Sequence, residues 1–157
     1  MVSWRRTWRR WLAPITAAAA VAAALASWAA VDTYRKSILL DERLRACVDA
    51  DIAGRLAAID IEHAIRARAS GQRPDFTRMR TELPKVGDAS NRLLILGPRR
   101  LHRAVGSFAD ALIAARDAAQ SDSFDEPIAR LRLGEVREQQ FRLYSACRSA
   151  MGMGIGE

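Results

Sequence analysis

Beyond Val31 the apolar residues recur every three or four positions, and Gly and Pro interrupt them at a few sharply placed points. That period belongs to one face of a helix, and no strand-like alternation competes with it. From Leu40 the series Leu44, Cys47/Val48, Ile52, Leu56 and Ile59 predicts a long helix ending near Ser70–Gly71, with Pro74 just beyond. Asp75 is placed to cap a short helix through Leu83, closed by Pro84 and Gly87. Asp88 or Ser90 then opens another apolar segment, Leu93 to Leu96, before the break at Gly97–Pro98.

Leu101, Val105, Phe108, Leu112 and Ala115 follow at alternating spacings of four and three, as in a helix packed along a seam. The last helix is expected from Asp125-Glu126-Pro127, since acidic residues and Pro suit a first turn. Its buried side would be Ile128, Leu131, Val136, Leu143/Tyr144, Cys147 and Met151. Short connections make neighbouring helices antiparallel. The expectation is therefore an all-α chain: an N-terminal transmembrane helix, then an antiparallel bundle of three long helices plus one short helix.

Cys47 and Cys147 fall on the expected core faces of the first and last long helices. In an oxidising compartment a single pair of this kind forms a disulfide, closing a loop of about 100 residues. A bridge between two copies of the chain is the alternative, and with it a homo-oligomer.

The N-terminal stretch bears on the compartment. Trp11 to Val31 is 21 residues without a charge, about 31 Å long as a helix and close to the hydrocarbon thickness of a bilayer. Arg5, Arg6, Arg9 and Arg10 precede it, which keeps residues 1–10 cytoplasmic and sends the rest across. Trp11 and Trp28 bracket the run and Tyr34 follows, in the manner of interfacial aromatics. The expectation is a single-pass inner-membrane anchor at 11–31, an extracytoplasmic bundle at 32–151 and a flexible tail at 152–157. The runner-up is a cleaved signal peptide, because eleven of the 21 residues are Ala and Ala24-Leu25-Ala26 precedes Ser27 as a cleavage site would. Arg9-Arg10-Trp11-Leu12 also partly fits a twin-arginine export signal.

The net charge of +7 is in large part this topology signal: the four N-terminal arginines supply four of it, leaving +3 after Val31. Such a balance gives no support to nucleic-acid binding by the main domain.

Little in the sequence speaks for catalysis. His63 and His102 are the only histidines, too few for a His-rich metal site, which needs three or four converging ligands. Cys147, Met151 and Met153 would suit a soft metal only if Cys147 were a free thiol. Asp49, Asp51, Asp60 and Glu62 are not spaced as a carboxylate dyad on one helix face. No Gly-rich phosphate loop, Gly-x-Ser-x-Gly or Cys-x-x-Cys occurs. No metal or cofactor is therefore expected.

Gly97-Pro98-Arg99-Arg100-Leu101-His102-Arg103 is the unusual segment. Helix first turns favour acids, because the macrodipole is positive there, yet three arginines crowd this one. Free backbone N–H groups beside Arg99, Arg100 and Arg103 make a candidate anion site for a phosphate, an anionic lipid headgroup or an acidic partner. Arginines facing solvent or paired with nearby acids are the plainer explanation.

The function expected is that of a non-enzymatic, membrane-tethered bundle acting by protein–protein contact, as a scaffold or a subunit of an envelope assembly. One alternative is a sensing or carrier bundle enclosing a small molecule between its apolar faces. Another comes from likeness: Leu25 to Arg35 and Pro98 to His102 resemble stretches of phage inner-membrane spanins, which share the layout of a basic N-terminus, one span and an exported helical region. The resemblance implies a lysis protein with a long coiled coil. Gly71, Pro74, Pro84 and Gly97-Pro98 depart from that pattern.

Overall fold

The computed structural model describes the backbone of residues 4–152 and the side chains of residues 22–152. Four helices follow one another: α1 (Trp4–Ala69), α2 (Thr77–Leu96), α3 (Arg99–Gln120) and α4 (Glu126–Ala150). The chain divides into two compact units, Met1–Leu39 and Leu40–Glu157. Residues 1–3 and the tail after Gly152 lie outside the described residues, and for the rest of the basic segment and the part of the expected anchor before Ala22 only the backbone is described. Among the described residues, no helix is long and apolar enough to cross a membrane.

In the first unit, the described large apolar side chains, Leu25, Trp28, Val31, Tyr34, Ile38 and Leu39, are all exposed. Local bonds support the helix there: Ser27 and Thr33 donate to the carbonyls of Ala23 and Ala29, and Lys36 pairs with Asp32 at 2.6 Å.

The second unit is an all-α four-helix bundle with antiparallel contacts. Polar contacts fix the order. Asp60 accepts a hydrogen bond from the Met79 amide at 2.8 Å, Arg92 pairs with Asp49 at 2.6 Å, and Arg43 donates to the Leu96 carbonyl, so α2 runs back along α1. Arg68 donates to the carbonyls of Ala119 and Ser121, which places the end of α3 beside the end of α1. Gln140 donates to Asp51 at 2.7 Å and Cys147 bonds Cys47, so α4 returns antiparallel to α1.

Helix ends follow local chemistry. The Gln72 amide donates to the Ala67 carbonyl and the Gly71 amide to that of Arg68, with Gly71 at φ 75°, a left-handed cap that suits glycine. Asp125 caps α4 by accepting from the Ile128 amide at 3.0 Å, as expected. At α2, Asp75 accepts from both the Thr77 hydroxyl and the Thr77 amide. The hydroxyl bond, then the amide bond, hold its carboxyl below the usual range. A lowered folded value makes this contribution present above the unfolded carboxylate range and lost as pH falls through the lowered value.

The expected division into three long helices and a short one is corrected. The short helix through Leu83 and the segment from Asp88 are one helix, α2, which continues through Pro84 and Gly87. Its buried residues Met79, Glu82, Val86, Ala89 and Leu93 form an unbroken stripe spaced three and four apart. Burial along that stripe outweighs the local cost of a helix-interior proline, about 3 kcal/mol. Pro84→Ala is expected to stabilise the protein by roughly 2 kcal/mol, the helix gain less the unfolded-state stiffness that Pro supplies. Thermal denaturation of the variant measures this, and a lowered melting temperature would contradict it.

A second correction concerns which faces are inside. On α3, Leu101, Val105, Phe108, Leu112 and Ala115 are all buried as expected. On α1 the buried residues are instead Ala46, Cys47, Ala50, Ala53, Ala57, Ile61, Ala64 and Ile65. Of the expected α1 stripe only Cys47 is buried; Leu56 is half-buried, and Leu44, Val48, Ile52 and Ile59 are exposed. On α4, Val136, Leu143 and Cys147 are buried, Met151 is half-buried, and Ile128, Leu131 and Tyr144 face outward. Small side chains let α1 approach α3 closely, because interaxial distance depends on the side chains at the contact. At Gly54 an added Cβ would lie 2.2 Å from two ring carbons of Phe108. Most of the large side chains filling the core, among them Phe108, Leu112, Leu93, Val86 and Leu143, come from α2, α3 and α4, and α1 adds Ile61 and Ile65 towards its end.

Candidate functional site

The disulfide joins Cys47 on α1 to Cys147 on α4 within one chain, with Cα atoms 6.2 Å apart. Both residues are buried. Next to it lies an apolar hollow of about 170 Å³, walled by Leu44, Val48, Leu143, Tyr144 and Met151. A bonded Cys147 has no thiolate to offer a metal, and Met153 lies outside the described residues. His63 is exposed on α1 and His102 half-buried on α3. No three His, Cys, Asp or Glu side chains gather into a ligand set among the described residues.

The acids on α1 serve the fold. Asp49 pairs with Arg92, Asp51 binds both Arg55 and Gln140, Asp60 caps α2, and Glu62 bonds Arg66 and Arg137. Each is held by a partner on its own or a neighbouring helix, which accounts for them without invoking acid–base chemistry.

The arginines of the Gly97–Arg103 segment are arranged differently. α3 begins after Pro98, with no side-chain cap and no acidic residue in its first turn. The Leu101 and His102 amides bond the Pro98 carbonyl, so the Arg99 and Arg100 amides remain the outward ones. Arg99, Arg100 and Arg103 are exposed, and no carboxylate pairs with them among the described residues. Arg100, Arg103 and Ser107 form one wall of an open groove of about 520 Å³; Gln139, Arg142 and Ser145 of α4 form the other. Arg142 also pairs with Glu138 at 2.5 Å. Three cations and two hydroxyls from two helices thus face one space, a donor-rich setting for an oxyanion. Arg99 stands at the helix start beside it.

Sequence reasoning located the α3 arginines but not Arg142, Ser107 or Ser145. Their placement depends on the rotation of α4 against α3, which periodicity along one helix does not specify.

A further surface is equally defined. Val48 and Ile52 on the outer face of α1 are 45% and 54% exposed. Val48 shares the hollow by the disulfide with Tyr144, and Tyr144 shares the adjoining cleft with Phe141, itself 72% exposed. The apolar surface therefore continues from α1 onto α4.

No family model, curated protein or solved structure matches this chain.

Proposed function

We propose that this chain is a non-enzymatic, membrane-tethered extracytoplasmic bundle that works by contact with another protein through the outer face of α1 and the adjoining face of α4. One observation carries the reading. α1 packs into its own bundle largely with alanines, joined by Cys47, Ile61 and Ile65, and turns Leu44, Val48, Ile52 and Ile59 outward. A contiguous apolar patch that the bundle does not use for itself is the mark of an interaction site. Phe141 and Tyr144 extend it with the aromatic surface that protein contacts favour. The disulfide favours an oxidising compartment. The uncharged stretch 11–31 behind four arginines supplies the tether.

The carrier alternative has less to rest on. The apolar hollow of about 170 Å³ is smaller than the roughly 300–1,000 Å³ of small-molecule sites. The spanin likeness implies one extended rod, whereas the chain beyond Leu40 folds back on itself three times.

A photo-cross-linking residue at position 52, expressed in living cells, tests the contact. An adduct with a protein is expected from position 52 and not from position 132, an exposed site on α4. No adduct at 52, or equal yields at both positions, would remove the contact reading. The tether has its own readout in the intact mass of the native chain. A full-length chain in the membrane fraction retains it, and a soluble chain beginning at Ser27 replaces it with release.

A further inference from the structure

The charges of the bundle are segregated along its length. The contacts of Arg43 with Leu96 and of Cys47 with Cys147 gather four places at one end: the start of the bundle's share of α1, the last turn of α2, the first turn of α3 and the last turns of α4. From Ala89 to Ala109 the chain carries Arg92, Arg99, Arg100 and Arg103 without one Asp or Glu. From Gln139 to Gly152 it carries Arg142 and Arg148, again without an acid. The acids at this end are on α1, where Asp41 pairs with Arg45, Asp49 pairs with Arg92, and Glu42 stands beside them. The far end is mixed: Asp75, Asp117, Asp122, Asp125 and Glu126 stand there among Arg68, Arg73, Arg78 and Arg116.

The basic end also presents apolar surface. Ile95, at 83%, is the most exposed large apolar side chain among the described residues, and its neighbour Leu94 is 57% exposed. Both stand in the last turn of α2, four to six residues before Arg99 and Arg100. Outward aliphatic side chains beside cations with no carboxylate partner match a bilayer interface, where the aliphatic groups enter the acyl boundary and the cations meet phosphates. The bundle's share of α1 also begins at this end, at Leu40.

We propose that this end of the bundle rests on an anionic phospholipid surface. Leu94 and Ile95 enter the interface, Arg99, Arg100 and Arg103 bind headgroup phosphates, and the groove shared with Arg142, Ser107 and Ser145 holds one phosphodiester. The inference rests on the membrane-side location given above for where such a surface is met, but not on retention of the tether. Each cation near an anionic surface is worth about fivefold in binding, so the three α3 arginines together contribute about a hundredfold, in a salt-dependent way.

The test uses the native chain with Ile95→Cys carrying a polarity-sensitive dye, the native disulfide being left intact. A chain that keeps its tether is placed in nanodiscs, and a released one is mixed with vesicles. The lipid is phosphatidylcholine with or without phosphatidylglycerol. A blue shift is expected only with phosphatidylglycerol, reversed at about 1 M salt, where the screening length falls to ~3 Å. The same dye at Asp122→Cys, at the far end, should not shift. Arg99→Glu, Arg100→Glu and Arg103→Glu combined should abolish the shift. Acids suit a helix first turn, so this variant keeps α3, and a retained circular dichroism spectrum shows it.

Equal emission in the two lipids would overturn the proposal, as would a shift that survives the triple substitution. Protection of the first α3 amides by inorganic phosphate alone, with no lipid effect, would assign the groove to a soluble anion and overturn it as well. The two readings fail separately. A chain beginning at Ser27 that still shifts on vesicles loses the tether and keeps the surface, while a full-length chain with no shift does the reverse.

Discussion

Cys147→Ser is expected to lower the unfolding free energy by roughly 4 kcal/mol under oxidising conditions, and the melting temperature by on the order of 15 °C. The size comes from the loop. Cys47 and Cys147 are 100 residues apart in sequence, so the bridge constrains nearly the whole bundle in the unfolded state. The chain-entropy account gives about 4.7 kcal/mol for such a loop, an upper figure where residual structure already restricts the unfolded chain. Cys47→Ser should have the same effect, because either substitution opens the same loop. Reductant should bring the parent protein to the melting temperature of the variants and leave the variants unmoved. An unchanged melting temperature for Cys147→Ser under oxidising conditions would contradict an intrachain staple.

Gly54→Ala comes second, with an expected loss of about 2–3 kcal/mol. Helix propensity alone predicts the opposite sign, a gain of about 1 kcal/mol from replacing an interior glycine. The close approach of α1 to α3 decides between them. A Cβ at position 54 would lie 2.2 Å from Cε1 and Cζ of Phe108, a side chain with no exposure, so the ring has no solvent to swing into. Shortening the ring should relieve the clash. Phe108→Leu alone costs on the order of 1–2 kcal/mol through the cavity it leaves. In the Gly54→Ala background it should restore stability, so that the double variant is more stable than Gly54→Ala. Denaturant titration of the four proteins gives the coupling, expected to exceed about 1 kcal/mol. Additive effects, or a stabilising Gly54→Ala, would contradict the close packing of α1 on α3.

Position 54 also illustrates where reading along the chain runs out. Within the first helix, the large residues Leu44, Val48, Ile52 and Ile59 make the more conspicuous apolar stripe, and the natural inference puts them inside. The buried face is nearly opposite, built on Ala46, Ala50, Ala53 and Ala57 with Gly54 among them. Periodicity reports that a stripe exists; it does not say which of two stripes meets the neighbours. That choice depends on the volume the other helices bring. On α3, where large residues occupy a single face, the sequence reading and the structure agree from Leu101 to Ala115. On α4 Ile128 and Leu131 fail for the same reason as α1, since Ala129 and Leu133 lie on the face that meets the core.

The candidate anion groove has the same history. Arg99, Arg100 and Arg103 were legible because cations in an uncapped first turn run against the helix dipole. Arg142, Ser107 and Ser145 were not, because a groove belongs to two helices and each sequence stretch describes one.

Helix boundaries at Gly71, Gly97–Pro98 and Asp125 and the all-α class are written in short-range chemistry: a left-handed cap, a pre-proline break and a carboxylate on free amides. The pairing of the two cysteines, 100 residues apart, was legible for another reason, since each has one other cysteine in the chain to bond. The continuity of α2 through Pro84, the alanine face of α1 and the outward turn of Val48 and Ile52 were decided by the tertiary structure alone. These depend on how closely the helices approach and on which side chains fill the space between them, and that balance of volumes exists only once all four helices are together.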